Sequence, residues 1–301
     1  MLRKIYEALP PGAKSALKKM LGAQGHGESA FDRLKATNLA NGKKRLDIAA
    51  QQFSERLHYS GISSLQSAVC LELGAGYVLS EPLLFHLLGC ERAYATDYNA
   101  IASARATYQS IRNTTPDAVA AALSSLTVPS DFDLRLNNLF NISKAEFPEF
   151  LRRTVTYRAP YDGATEEPIS RFDFIHSVSV LEHIPKAVVP PLLANFASQL
   201  ADLGVWINHI DLKDHRDMKK DPFAFLASDT DWCEKDTDGR GNRLRKSDWL
   251  TAFSVLPLDT KCVFERKERP DTLPARLIAD CASELHSELI VGEVILRSFR
   301  H

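Results

Sequence analysis

Residues 69–77 read Val-Cys-Leu-Glu-Leu-Gly-Ala-Gly-Tyr, and they restrict the fold more than any other stretch. A short apolar run carries Glu72, breaks at Gly74 and Gly76, and leads into a helix-like segment from Leu79 to Leu88. The pattern is a strand, a tight glycine turn and a helix N-terminus. Glycine has no Cβ and tolerates positive φ, so such a turn lets a ligand lie against bare backbone. A second apolar run, Ala93-Tyr-Ala-Thr, ends in Asp97. An acid closing the second strand, about twenty residues on, suits the hydroxyls of a ribose.

The remainder alternates in the same way. Strands are expected at Ala68–Leu73, Arg92–Thr96, Phe172–Val178 and Val205–His209, and a short one at Thr154–Tyr157. Helical stretches separate them, one opened by Pro190-Pro191. That alternation implies a parallel sheet covered on both faces. Residues 113–150, punctuated by Thr-Thr-Pro, Val-Pro-Ser and Phe-Pro-Glu, read as an inserted pair of elements. A helix at Ser247–Phe253, a strand at Thr260–Arg266, a helix at Ala275–Leu285 and a strand at Ile290–Phe299 close the chain. Residues 1–60 read as a helical N-terminal extension with a glycine-rich connection at 21–30, and residues 61–301 as the main domain.

Charge and cysteine content narrow the function classes. A formal net charge of −1 over 301 residues gives no global case for nucleic-acid binding. The five cysteines are scattered without a Cys-x-x-Cys pair, which argues against a disulfide scaffold and fits a reducing cytoplasm. No apolar run is long enough for a membrane span, and no signal-peptide core is evident. Arg3, Lys4, Lys14, Lys18 and Lys19, interleaved with Leu2, Ile5 and Leu9, give a basic N-terminal arm. It reads as a solvated helix or as a peripheral contact with an anionic membrane surface.

The glycine spacing separates the nucleosides. From Gly74 the chain runs Gly-Ala-Gly-Tyr-Val-Leu, without the third glycine of a dinucleotide turn. No tyrosine has a lysine four residues on, and the only Gly-Lys pair, Gly42-Lys43, lies outside any strand–turn–helix context. An adenosine-type ligand without a pyrophosphate remains. Here residues 69–210, about half the chain, resemble the class I S-adenosylmethionine-dependent methyltransferases. The resemblance rests on Leu71-Glu-Leu-Gly-Ala-Gly, the strand-ending Asp97, Ala159-Pro-Tyr-Asp162-Gly-Ala ahead of Phe172-Asp-Phe-Ile-His-Ser, and Ser179-Val-Leu-Glu-His183-Ile-Pro. Val78 stands where the family often has a third glycine, and a long insertion separates strands two and three.

That resemblance implies an α/β fold with a Rossmann-like, doubly wound, mostly parallel seven-stranded sheet, and S-adenosylmethionine as cofactor. It implies that Glu72, Gly74, Ala75 and Gly76 line the methionine end. Asp97, with Tyr98 beside it, would take the ribose, and Asp162 with Gly163 the adenine. His176 and Ser177 would end strand four beside the sulfonium. Asn138 is an alternative for the adenine contact.

Methyl transfer from a sulfonium needs chiefly alignment of nucleophile, methyl and sulfur. A hydroxyl acceptor also needs a base. His209, paired with an acid such as Asp211, is the first candidate, and His183 the second. No tight ligand motif for a metal is present, although His209, Asp211 and His215 lie close in sequence. Residues 212–249 read as an acceptor lid. In it Asn242, Trp232 and Trp249 suit sugar hydroxyls and faces, Arg243 and Arg245 suit an anionic group, and His215 is a further substrate-binding candidate. The expected activity is O-methylation of a sugar, glycan or other small anionic metabolite. Alternatives are N- or C-methylation of a small metabolite, or a catalytically silent cofactor-binding scaffold.

Overall fold

The structure is a computed structural model that describes residues 30–228, 233–235, 237, 239–278, 281 and 285–300. The basic N-terminal arm and Trp232 lie outside these residues. Seven strands form one sheet: β1 (Val69–Leu73), β2 (Arg92–Thr96), β3 (Val155–Arg158), β4 (Phe172–Val178), β5 (Leu200–Asp211), β6 (Asp259–Lys267) and β7 (Val291–Phe299). Their order is β3-β2-β1-β4-β5-β7-β6. Strands β1 to β5 pair in parallel, and β7 runs antiparallel between β5 and β6. The order reverses at β1, so the crevice at the carboxyl ends of β1 and β4 is the topological switch point. The expected Rossmann-like, doubly wound sheet is the fold of this chain.

Strand residues alternate between two cores. Cys70, Ala93, Ala95, Phe174 and Ile207 face one side of the sheet, and Leu71, Leu73, Ile175, Trp206 and Ile210 face the other. On the first face, α1 (Ala30–Asn41) and α2 (Leu46–Ser60) precede the sheet, and α3 (Ser80–Leu87) follows the glycine turn. Leu46, Ala49, Phe53 and Leu57 recur at helical spacing on α2 and are 0–2 % exposed, so the stripe anchors the helix to the sheet. Each large side chain in it contributes about 1.5–3 kcal/mol by burial. On the second face α8 (Val189–Gln199) supplies Leu192, Leu193 and Phe196, and α9 (Lys246–Ser254) supplies Trp249 and Phe253.

Between β2 and β3 the chain forms α4 (Ala104–Arg112), then α5 (Pro116–Leu123), α6 (Phe132–Asn141) and α7 (Phe147–Thr154). The stretch expected to hold a pair of elements therefore holds three helices. Each begins within a few residues of a proline or a short polar turn and contributes a small apolar stripe to the first core. Asn138 sits at an exposed position of α6, not on a loop after a strand. Helix α9 starts after Arg245, whose N–H donates to the Asp248 carboxylate at 2.8 Å, so Ser247 lies within the first turn. No helix among the described residues is long and apolar enough to cross a membrane.

Candidate functional site

Gly74 and Gly76 both take left-handed backbone, at φ 74° and 68°. The N–H groups of Gly74 and Ala75 donate to the Thr96 carbonyl, each at 2.9 Å. Gly76 N–H donates to Asp97 Oδ2 at 2.8 Å, and Asn99 N–H to Asp97 Oδ1 at 2.9 Å. The Asp97 carbonyl in turn accepts Tyr161 N–H at 2.9 Å. Asp97 thus ties together the ends of β1, β2 and β3. A carboxylate has about four lone-pair sites, so two remain beyond these N–H bonds. The loop after β4 closes the fourth side: a Cβ on Gly74 would lie 2.4 Å from Val180 Cγ2. Tyr98, next to the acid, is 68 % exposed.

The loop after β3 is built for close approach too. Asp162 is half-buried, and its Oδ1 accepts Ala164 N–H at 3.0 Å while its own N–H donates to Glu166 Oε1 at 2.7 Å. Gly163 is pressed on Phe196, where a Cβ would meet Cε2 at 2.5 Å. Asn195 holds the same loop by donating to the Gly163 and Glu166 carbonyls at 2.8 and 2.9 Å.

Beneath the glycine turn lies a buried charge network that crosses from β1 to the N-terminal helices. Lys44, in the α1–α2 turn, donates to Glu81 Oε2 at 2.6 Å and lies 3.4 Å from Glu72 Oε1. Arg56 Nη2 reaches Glu81 Oε1 at 3.6 Å, and Arg56 Nε donates to His176 Nε2 at 3.1 Å. Burial pushes the Glu72 carboxyl well above the usual range, with the Glu81 charge adding to it. For Glu81 burial acts in the same direction, but Lys44 and Arg56 outweigh it and hold the carboxyl below its ordinary value. Glu72 Oε2 and His176 Nδ1 have no hydrogen-bond partner among the described residues. Above the turn, Tyr77 donates to Asp32 Oδ1 at 2.8 Å, so α1 covers it.

His176 and Ser177 differ from expectation. Strand β4 runs past them to Val178, and the chain turns only at Ser179, at φ 53°. His176 is fully buried under α2, where burial and Arg56 hold its imidazole well below the ordinary range. Ser177 points to the opposite core and donates to Asn208 Oδ1 at 2.7 Å. Both are interior residues.

At the end of β5, His209 does not pair with Asp211. Its Nε2 lies 3.6 Å from Glu293 Oε2. Antiparallel β7 places Glu293 opposite Asp211, two positions from the residue opposite His209. Glu293 also accepts from Lys213 at 3.1 Å and from Arg266. Burial opposes its ionisation, yet His209 and Lys213 bring its pKa down to about 2. Asp211 instead faces Lys213, at 3.5 Å. Glu293 is the residue sequence reasoning missed, and only the strand register would have found it.

Residues 181–183 form a single 3₁₀ turn after β4. Glu182 is buried beneath it and pushed up to about 8, by burial first and by Asp211 as well. His183 is exposed, and its ring stands 4.7 Å from that of His215 at 67°. The expected acceptor grip of Asn242, Arg243 and Arg245 is not what this segment presents. Asn242 Nδ2 donates to the Leu181 and Ile184 carbonyls, both at 2.8 Å. Arg245 is 1 % exposed and donates to the carbonyls of Leu212, Leu289 and Val291 at 2.6–2.9 Å. Arg243 donates to the Ser228 carbonyl at 2.7 Å. These donors clasp the loops after β4 and β5 together from inside.

No family model and no curated protein matches this chain. Solved structures do match along it. An S-adenosylmethionine-dependent methyltransferase from Mesorhizobium loti is 13 % identical, covers 85 % of this chain and 100 % of its own, and has a TM-score of 0.45. Magnesium protoporphyrin IX methyltransferase from Synechocystis, with bound SAH, is 12 % identical over 100 % and 98 %, at 0.44. Geranyl diphosphate C-methyltransferase from Streptomyces coelicolor is 13 % identical over 84 % and 79 %, also at 0.45. Likenesses this distant carry no argument about function; the fold stands on the strand order itself.

Proposed function

We propose that this chain is an S-adenosylmethionine-dependent methyltransferase. The observation that carries the reading is the convergence on Asp97: the glycine turn of β1, the acid of β2 and the Tyr161–Gly163 loop meet at the switch point of the sheet. Gly74, Ala75 and Gly76 would meet the methionine end, with Glu72 beneath them. Asp97 would take the ribose hydroxyls through its remaining lone pairs, and Asp162 and Gly163 would edge the adenine. Tyr98 would stand at the rim. Calorimetry with S-adenosylhomocysteine tests this directly. Saturable binding that is weakened by Asp97→Ala supports the reading; no binding, or binding indifferent to that change, removes it.

For the acceptor we propose a hydroxyl group on a small molecule, of the sugar or glycan kind. His209 supports this reading, since it lies at the carboxyl end of β5 beside an ionised Glu293, where a base can take a hydroxyl proton. Arg243 and Arg245 lend no support to an anionic acceptor, because they donate to backbone carbonyls. Labelled methyl transfer into candidate hydroxyl acceptors, followed by product identification, tests the acceptor class. Turnover that survives His209→Ala would favour N- or C-methylation.

A further inference from the structure

The loops after β4 and β5 bring together three side chains with no role in the reading above. Glu182 comes from the Leu181–His183 turn, His183 from the same turn, and His215 from the loop four residues past the end of β5. One ligand atom from each lies within 4.8 Å of the other two. Among the described residues, two of these side chains carry a buried polar atom with no hydrogen-bond partner, Glu182 Oε2 and His215 Nε2. Leaving a buried carboxyl oxygen without a partner is costly, which makes Glu182 Oε2 a candidate ligand atom. Glu182 is 2 % exposed, and its other oxygen, Oε1, accepts Asp211 N–H at 3.3 Å, which fixes the carboxylate.

The surroundings hold the group in place. Asn242 N–H donates to the Glu182 carbonyl at 2.6 Å, and Asn242 Nδ2 pins the carbonyls on either side of the turn. His215 N–H donates to the Arg240 carbonyl at 3.0 Å. The segment 240–242 therefore clamps both loops at the height of the three ligands. This gives the backbone clasp a purpose beyond packing.

We propose that Glu182, His183 and His215 bind one divalent transition-metal ion. Two imidazoles and one carboxylate suit Zn²⁺, Mn²⁺, Fe²⁺ or Co²⁺ and disfavour Mg²⁺ and Ca²⁺, which prefer all-oxygen sets. Bonds of about 2.1 Å set neighbouring ligand atoms roughly 3–3.5 Å apart, so the group must contract by about an ångström. Exposed His183 can supply that movement by a change of rotamer. Three protein ligands leave coordination positions open on the exposed side. If the methyltransferase reading holds, an acceptor oxygen would fill one of them; the metal site itself does not depend on that reading.

The test uses the full chain, stripped with a chelator and titrated with Zn²⁺ by calorimetry and with Co²⁺ by its visible absorption. The expected result is one ion per chain, with affinity reduced at least about tenfold by Glu182→Gln and by His183→Ala. His183 is exposed, a thermal melt of each variant reports whether the fold is kept, and His86→Ala, on α3, serves as the unaffected control. No saturable binding, or binding indifferent to both ligand changes, overturns the site. Titration with S-adenosylhomocysteine in the same preparation separates the two readings: cofactor binding without metal removes only this site, and metal binding without cofactor removes only the methyltransferase.

Discussion

Asp97 accepts the Gly76 N–H at 2.8 Å, so the acid that closes β2 also holds the turn that closes β1. One side chain thus combines a structural duty with the one proposed for the ribose. Asp97→Ala removes the acceptor for two N–H groups and is expected to lower stability by about 1–3 kcal/mol, alongside weaker binding of S-adenosylhomocysteine. Asp97→Asn keeps one acceptor oxygen and should recover most of the stability but not the affinity. Paired denaturation and calorimetry decide it, and equal losses in both variants would contradict the double role.

The glycine turn gives a comparison between two positions with the same backbone and different neighbours. At Gly76 a Cβ meets nothing within 4 Å, so Gly76→Ala should cost only the left-handed backbone, about 1–2 kcal/mol. At Gly74 the same Cβ strikes Val180, and Gly74→Ala should cost at least about 2 kcal/mol more. Adding Val180→Ala should return part of the second loss and none of the first. A double-mutant cycle by urea denaturation measures the difference.

His209→Ala is expected to lower turnover by about 10²–10⁴-fold while cofactor affinity stays nearly constant. Glu293→Gln should lower turnover by less, because the imidazole stays in place. Asp211→Asn should change turnover little, since Asp211 faces Lys213 rather than His209. If Asp211→Asn proved the more damaging of the two acid changes, the pairing of His209 with Glu293 would not be the functional one.

Lys44 is the cation that lets two carboxylates share one buried site. Lys44→Met should destabilise the protein by about 3–5 kcal/mol near neutral pH. The sign of the pH dependence follows from linkage. The depressed Glu81 adds stability above the ordinary carboxylate pKa of 4.5, and this is lost as pH falls. The raised Glu72 acts oppositely, adding stability below 4.5 that declines as pH rises. Without Lys44 both carboxyls shift upward, so the variant's deficit in melting temperature should widen from pH 4.5 to pH 8. A deficit that is constant with pH would mean that Lys44 acts through packing alone.

Local chemistry made much of the molecule legible in its sequence. Gly74, Gly76 and Asp97 announce themselves because a left-handed turn restricts residue type and an acid at a strand end stands out. Strand alternation then gave the parallel sheet and two further strands, whose antiparallel pairing only the structure supplies. What could not be read depends on register and on where a long side chain spends its donors. Glu293 meets His209 only because β7 pairs antiparallel with β5. Arg56 and Arg245 look like surface charges on paper, yet each enters the interior to satisfy groups from distant segments. Likewise, His176 lies near the carboxyl end of its strand, and only the packing of α2 shows that its side chain enters the core.

The position of β7 has a consequence for biosynthesis. The sheet's seventh strand in sequence order lies between β5 and β6, so β6 cannot join the sheet until residues 291–299 are available. A nascent or truncated chain ending before Val291 would present the long β5 as an open edge, with its N–H and C=O groups unpaired and β6 without a partner. It would also lack Glu293, and with it the carboxylate that faces His209. The closure of the sheet's most exposed edge and the completion of the proposed base therefore depend on the same few residues.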